Sequence, residues 1–154
     1  MKRILTIIVA AVLAVAMLTA CGAKNVDLNK VMTDINDKYG LANLTPVENT
    51  DNLNRYYQIP ADDVKNFAAE LTKAATAGYT EVIMIEAKDA DAAGRVKTQL
   101  ESHRQKQLSD AKSYNASQVN MIESSAVKDN GNFVWLVIGE KQDDINTDIE
   151  NAVK

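Results

Sequence analysis

From Asp27 to Gly40 the apolar residues Leu28, Val31, Met32, Ile35 and Tyr39 fall at helical spacing. The pattern predicts an amphipathic helix, with Asp27 able to cap its start and Gly40 able to end it. The stretch Leu41 to Asp51 is polar with one proline and reads as a loop. Near its end Thr50 is placed to cap a short helix carrying Leu53, Tyr56 and Tyr57. Residues 62–77 fit two periods. Val64, Phe67, Ala68, Leu71, Ala74 and Ala75 form a helical stripe behind Pro60 and Asp62, while Phe67, Ala69 and Leu71 alternate as in a strand. Periodicity alone favours the helix.

Residues 80–88, TEVIMIEAK, are β-branched and apolar on both faces, which predicts a strand. Asp89 then caps a long helix reaching about Ser113, with Val96, Leu100, Leu108 and Ala111 on one side and charges on the other. At ~1.5 Å per residue such a helix runs roughly 36 Å, long enough to cross a sheet. Asn130-Gly131 reads as the two-residue type I′ turn of a hairpin, because both positions must take positive φ and apolar runs flank them. That register sets Lys128 opposite Phe133, Val127 opposite Val134 and Ala126 opposite Trp135. Ile145, Ile149, Ala152 and Val153 predict a last amphipathic helix, with acids at its start and Lys154 at its end as the helix dipole prefers.

The beginning of the chain has a different character. Lys2 and Arg3 precede a run from Ile4 to Leu18 that is apolar except for Thr6, and small residues follow up to Cys21. This is the pattern of a secretory signal cleaved between Ala20 and Cys21. Leu18-Thr19-Ala20-Cys21 resembles the bacterial lipoprotein box, which implies that the thiol is diacylated, with palmitate-type chains, and becomes the new first residue. A thiolate suits that chemistry as a good nucleophile. An uncleaved anchor competes poorly, since the run falls short of the ~20 residues that span a bilayer. A free thiol after ordinary cleavage is the other alternative. The expected division is therefore residues 1–20 as signal peptide, 21–26 as lipid anchor and short tether, and 27–154 as one domain on the extracytoplasmic face of the cell membrane. Two acyl chains at ~0.8 kcal/mol per buried methylene give stable attachment.

Composition narrows the choices. Cys21 is the only cysteine, so acylation leaves no thiol for disulfides, metal binding or redox work. Residues 21–154 suit a single domain with a real core. Without Lys2 and Arg3, the 17 basic residues become 15 against 21 acids, a net charge of −6. Nucleic acid is disfavoured as a partner, as is electrostatic docking to membrane lipid beyond the anchor.

The span from about Val26 to Gly139 resembles a family of Gram-positive bacterial lipoproteins known only as domain of unknown function 4358. The likeness rests on Tyr57-Gln58-Ile59, on Glu81 to Ala87 followed by Lys88-Asp89, on the long charged helix ending near Tyr114, and on Gly131-Asn132-Phe133-Val134. It implies that Val64 to Thr72 is a strand pairing with the next one. The expected fold is then α+β, an N-terminal helix followed by β-β-α-β-β-α, with a four-stranded antiparallel sheet and packed helices.

Little chemistry is visible. His103 is the only histidine and reads as a helix-surface or boundary residue, since one imidazole without cysteines makes no His-rich metal site. Residues 89–94, DADAAG, begin like a calcium loop but place Ala93 and Leu100 where oxygen ligands belong, so they read as a helix cap. The six glycines form no phosphate loop or dinucleotide fingerprint. Asp62-Asp63 and Asp143-Asp144 sit at element starts, and Ser124 and Ser125 fall on a predicted strand without a partner base. No catalytic residue, metal or cofactor is assigned. Phe133 and Trp135, with Tyr56 and Tyr57, form a candidate contact patch if the helices cover only one side of the sheet. They become core if the first or last helix covers them. The expected function is that of a membrane-anchored accessory or partner-binding module at the cell surface, binding an unknown protein or small ligand. The alternatives are a carrier for a small ligand or envelope fragment and, further off, an envelope hydrolase.

Overall fold

The computed structural model describes residues 25–41, 43–72 and 78–154, so the signal, Cys21 and the first part of the tether lie outside the described residues. Helix α1 spans Leu28–Tyr39. Asp27 Oδ1 accepts from the N–H groups of Asn29 and Lys30, both at 3.1 Å, which satisfies two donors that a helix start leaves free. Gly40 closes the helix at φ 69°, and its N–H bonds Asn36 O at 2.9 Å. The stretch expected as loop contains β1 (Thr45–Pro46), and the short helix expected after it is α2 (Thr50–Tyr57). The cap of α2 is Asn49 rather than Thr50, since Asn49 Oδ1 takes the Asn52 N–H at 2.9 Å. Gln58 ends α2 in the left-handed region at φ 58°, turning the chain so that Tyr57 and Ile59 on either side are both buried.

The remaining elements are β2 (Val64–Leu71), β3 (Glu81–Ala87), α3 (Ala90–Tyr114), α4 (Val119–Ser124), β4 (Val127–Asn130), β5 (Phe133–Ile138) and α5 (Gln142–Val153). All neighbouring strands are antiparallel, in the order β1-β2-β3-β5-β4. The fold is α+β as expected, with five strands instead of four. The extra strand, β1, pairs Thr45 with Leu71 and Pro46 with Glu70. Two residues, one of them proline, carry no period that a sequence pattern can register.

Residues 64–71 form a strand, against the helical period and in line with the resemblance. Phe67 pairs with Ile85, Ala68 with Met84 and Ala69 with Ile83, so β2 supplies the antiparallel partner that one side of β3 needs. Lys65 is the extra residue of a bulge between the pairs Val64–Ala87 and Asn66–Glu86.

The β4–β5 turn is Gly131-Asn132 and not Asn130-Gly131. Asn130 pairs with Phe133, Lys128 with Trp135 and Val127 with Leu136. Of the turn residues only Gly131 takes positive φ, at 58°, the pattern of a Gly-X type II′ hairpin. The register thus differs by two residues from the expected one, and a shift of two leaves every side chain on its expected face. Ser124 and Ser125 are not on a strand. Ser124 ends α4, and Ser125 Oγ donates to Ile122 O at 2.7 Å just beyond it.

Both faces of the sheet are covered. On one, α2, α3 and α4 pack Leu53, Val96, Leu100 and Ile122 against Ile83, Ile85, Val134 and Leu136. On the other, α1 and α5 pack Met32, Ile35, Ile145 and Ile149 against Val82, Met84, Trp135 and Val137. The outer edge on the β1/β2 side is blunted. Pro46 has no N–H to offer, the bulge at Lys65 bends β2, and Phe67 N–H is taken by Asn66 Oδ1 at 2.9 Å. Among the described residues no helix is long and apolar enough to cross a membrane.

Trp135 is 2% exposed, and its Nε1 donates to Asn146 Oδ1 at 3.0 Å. Its fluorescence is expected to be blue-shifted and resistant to acrylamide; a red-shifted, readily quenched maximum would contradict the covered face. Asn146→Leu leaves that indole N–H buried without an acceptor and is expected to lower stability by about 1–3 kcal/mol in urea denaturation.

Candidate functional site

The four aromatic residues of the candidate patch do not meet. Phe133 and Trp135 project to the α1/α5 face and Tyr56 and Tyr57 to the α2/α3 face, so the sheet separates the pairs. Trp135 and Tyr57 are buried and Phe133 and Tyr56 half-buried; Trp135 borders a cleft with Lys128 and Glu150, and Tyr56 a different one with His103. The uncovered aromatic face expected as one alternative is therefore replaced by core.

The polar cluster that the fold does assemble surrounds Glu81, the first residue of β3, which is 1% exposed. His103 Nε2 lies 3.1 and 3.0 Å from its two carboxylate oxygens. Tyr57 Oη donates to Glu81 Oε2 at 3.2 Å, and Gln107 Nε2 donates to the same oxygen at 3.3 Å. Gln107 Nε2 also sits 2.9 Å from His103 Nε2, and Gln107 Oε1 is buried without a partner. The rings of Tyr57 and His103 lean together, with centroids 4.5 Å apart at 51°. One cluster thus ties α2 and α3 to the central strand.

Sequence reasoning took His103 for a surface or boundary residue and passed over Glu81. A signal for both was present. His103 and Gln107 continue the stripe from Val96 and Leu100 to Ala111 at steps of three and four, and Glu81 opens a run that is otherwise apolar up to Glu86.

The other buried carboxylates have a different kind of partner. Asp63 is held by Arg95 through Nε and Nη2, and Glu86 by Lys65 Nζ. Arginine and lysine are permanent cations at neutral pH, whereas Glu81 has only an imidazole, a phenol and an amide around it. The hydrogen bonds from Arg95, helped by its charge, hold the Asp63 carboxyl below its usual range against the opposing effect of desolvation. Burial, then the charge of Glu81 and the hydrogen bond to it, push the Tyr57 phenol well above its usual range.

A cleft of about 240 Å³ opens beside this cluster, lined by His103, Lys106 and Gln107 from α3 and by Thr72, Tyr79 and Thr80 from around the β2–β3 connection. Because Nε2 is committed to the Glu81 carboxylate, acid–base work on a ligand there would have to run through Nδ1. Among the described residues no group of three or more His, Cys, Asp or Glu side chains is placed to hold a metal ion.

Fold and cluster together define a small α+β domain with a sheet sealed on both faces and one buried acid–imidazole cluster at the edge of a cleft. A family model described as Domain of unknown function (DUF4358) matches residues 37–139, and the chain belongs to that family. The match begins near the end of α1 and ends just after β5, so it contains the whole sheet, α2, α3 and the Glu81 cluster. No curated protein and no solved structure matches the chain.

His103→Ala removes a hydrogen-bond partner of the buried Glu81 carboxylate and is expected to cost about 1–3 kcal/mol, with most of it recovered when Glu81→Gln is added. Additive losses in a denaturation double-mutant cycle would show that the two side chains act separately. A phenol raised on folding stabilises fully below its unfolded value and loses that contribution as pH rises toward its folded value. Stability should therefore fall above about pH 10, where the unfolded phenol ionises, and Tyr57→Phe should flatten that part of a pH–stability profile.

Proposed function

We propose that this chain is a lipid-anchored extracytoplasmic module, attached to the cell membrane through an acylated Cys21, that works by binding a partner and not by catalysis. The observation that carries this reading is Leu18-Thr19-Ala20-Cys21 standing behind a charged start and an apolar run. The fold supports it in two ways. Val26 is already buried, so the packed domain begins five positions after the cysteine, a reach of at most about 18 Å at ~3.5 Å per residue. The buried carboxylate of Glu81 is engaged by Tyr57, His103 and Gln107, an arrangement that favours holding elements in place over turning over a substrate.

A protein is the favoured partner. The cleft beside His103, about 240 Å³, falls below the ~300 Å³ at which small-molecule sites usually begin, which weighs against a small ligand at the Glu81 cluster; open clefts of about 380, 430 and 440 Å³ elsewhere keep a small ligand as the second reading. The net charge of −6 on residues 21–154 weighs against nucleic acid. No cofactor is invoked.

Metabolic labelling with an alkynyl palmitate in a bacterial host tests the anchor. The native chain is expected to take up label and enter the detergent phase on phase separation, and Cys21→Ser to do neither. An unlabelled native chain in the aqueous phase would end the proposal.

A further inference from the structure

We infer that the anchored domain stands upright on the lipid surface, with the β4–β5 turn toward the bilayer and the Glu81–His103 cluster at the far end. The inference rests on the lipid anchor proposed above and adds to it a direction set by how α1 packs. β2 runs from Val64 to Leu71 and β3 returns from Glu81 to Ala87, so the sheet has a Glu81 end and an Ala87 end. The β4–β5 turn lies at the Ala87 end, where Ala87 N–H bonds Asn132 O at 2.8 Å.

Helix α1 finishes at the Glu81 end. Asn36 Nδ2 donates to Glu70 Oε2 at 2.9 Å, near the close of β2. Tyr39 and Leu41 share a cleft with Ile138, Gly139 and Ile145, at the close of β5 and the start of α5. Tyr39 Oη and Lys38 Nζ both reach Asp148 on α5, at 2.8 and 2.7 Å. Helix α5 itself runs the other way along the sheet, since Asn130 Nδ2 donates to Val153 O at 3.4 Å beside the turn. Helix α1 is thus antiparallel to α5, and its first turn lies at the Ala87 end.

Lengths make the direction matter. A twelve-residue helix covers about 18 Å, and the seven residues of β3 cover about 20 Å. The five positions from Cys21 to Val26 reach no further than about 18 Å, so the Glu81 end meets the bilayer only if the whole tether is stretched along the side of the domain. Charge does not compete with the tether. The Ala87 end mixes Asp62, Asp91 and Asp129 with Lys88, Lys97 and Lys128, and Lys97 pairs with Asp129 at 2.6 Å, so no one-signed face draws the domain over. Upright, the molecule turns away from the lipid the three clefts that share Thr80, including the one beside His103.

Acylation of Cys21 leaves the chain without a free thiol, so Asn132→Cys and Ser109→Cys each provide a single exposed labelling position, one at the turn and one on α3 beside the cleft. The acylated full chain would be placed in phosphatidylcholine vesicles holding a minority of phosphatidylglycerol and a lipid with a nitroxide on its headgroup. Quenching of the fluorophore is expected to be several-fold stronger at position 132 than at 109, and equal or reversed quenching overturns the upright geometry. Flotation keeps the two claims apart. If the native chain floats with vesicles and Cys21→Ser does not, a failure of the quenching pattern counts against orientation alone; if both float equally, the anchor fails and the orientation with it.

Discussion

Strand β3 is buried along its entire length, and its residues alternate between two packed faces. A strand of this kind has to be covered twice and paired twice. β2 and β5 meet the pairing requirement; α2, α3 and α4 cover one face, and α1 and α5 the other. The same strand carries a glutamate near each end, Glu81 toward α3 and Glu86 toward the α1/α5 face, and both are buried. Desolvated carboxylates need partners, so each end of the strand acquires a polar tie, to His103, Tyr57 and Gln107 at one and to Lys65 at the other. The bulge in β2 belongs to the second tie, because Lys65 is its extra residue.

Much of this was legible along the chain. Helices α1 and α3 have side-chain caps, these two and α5 have stripes of helical period, and β3 is a β-branched run with no polar alternation, so their places follow from local chemistry. Residues 64–71 follow from pairing instead. Their side chains fit either period, and only the need of β3 for a neighbour decides between them. The β4–β5 turn shows how a local signal can be nearly right. Asn130-Gly131 and Gly131-Asn132 both place a glycine where positive φ is needed, and Lys128 opposite Trp135 is a matter of which pair closes the turn. β1 has too few residues to show a pattern, and the Glu81 cluster draws on α2, β3 and α3, so no single stretch of sequence displays it.

The cluster also distinguishes the two halves of the family question. Membership in a family known as a domain of unknown function brings no activity with it, and the matched span holds the sheet and the acid–imidazole cluster but ends before α5. What the cluster demonstrably does is join elements far apart in sequence, with Tyr57, Glu81 and His103 each more than twenty residues from the next. The span that the family model matches thus includes the side chains that tie α2 and α3 to the central strand.

Pro46, the bulge at Lys65 and the Asn66–Phe67 hydrogen bond all lie on one margin of the sheet. On the lipid anchoring proposed above, copies of the chain would be confined to a surface, where they meet far more often than the same number free in solution, and side by side. A margin with its donors missing, bent away or already engaged gives a neighbouring copy little backbone to zip onto. Crowding in two dimensions is the setting in which such a margin separates a dispersed population from one that grows into extended sheets.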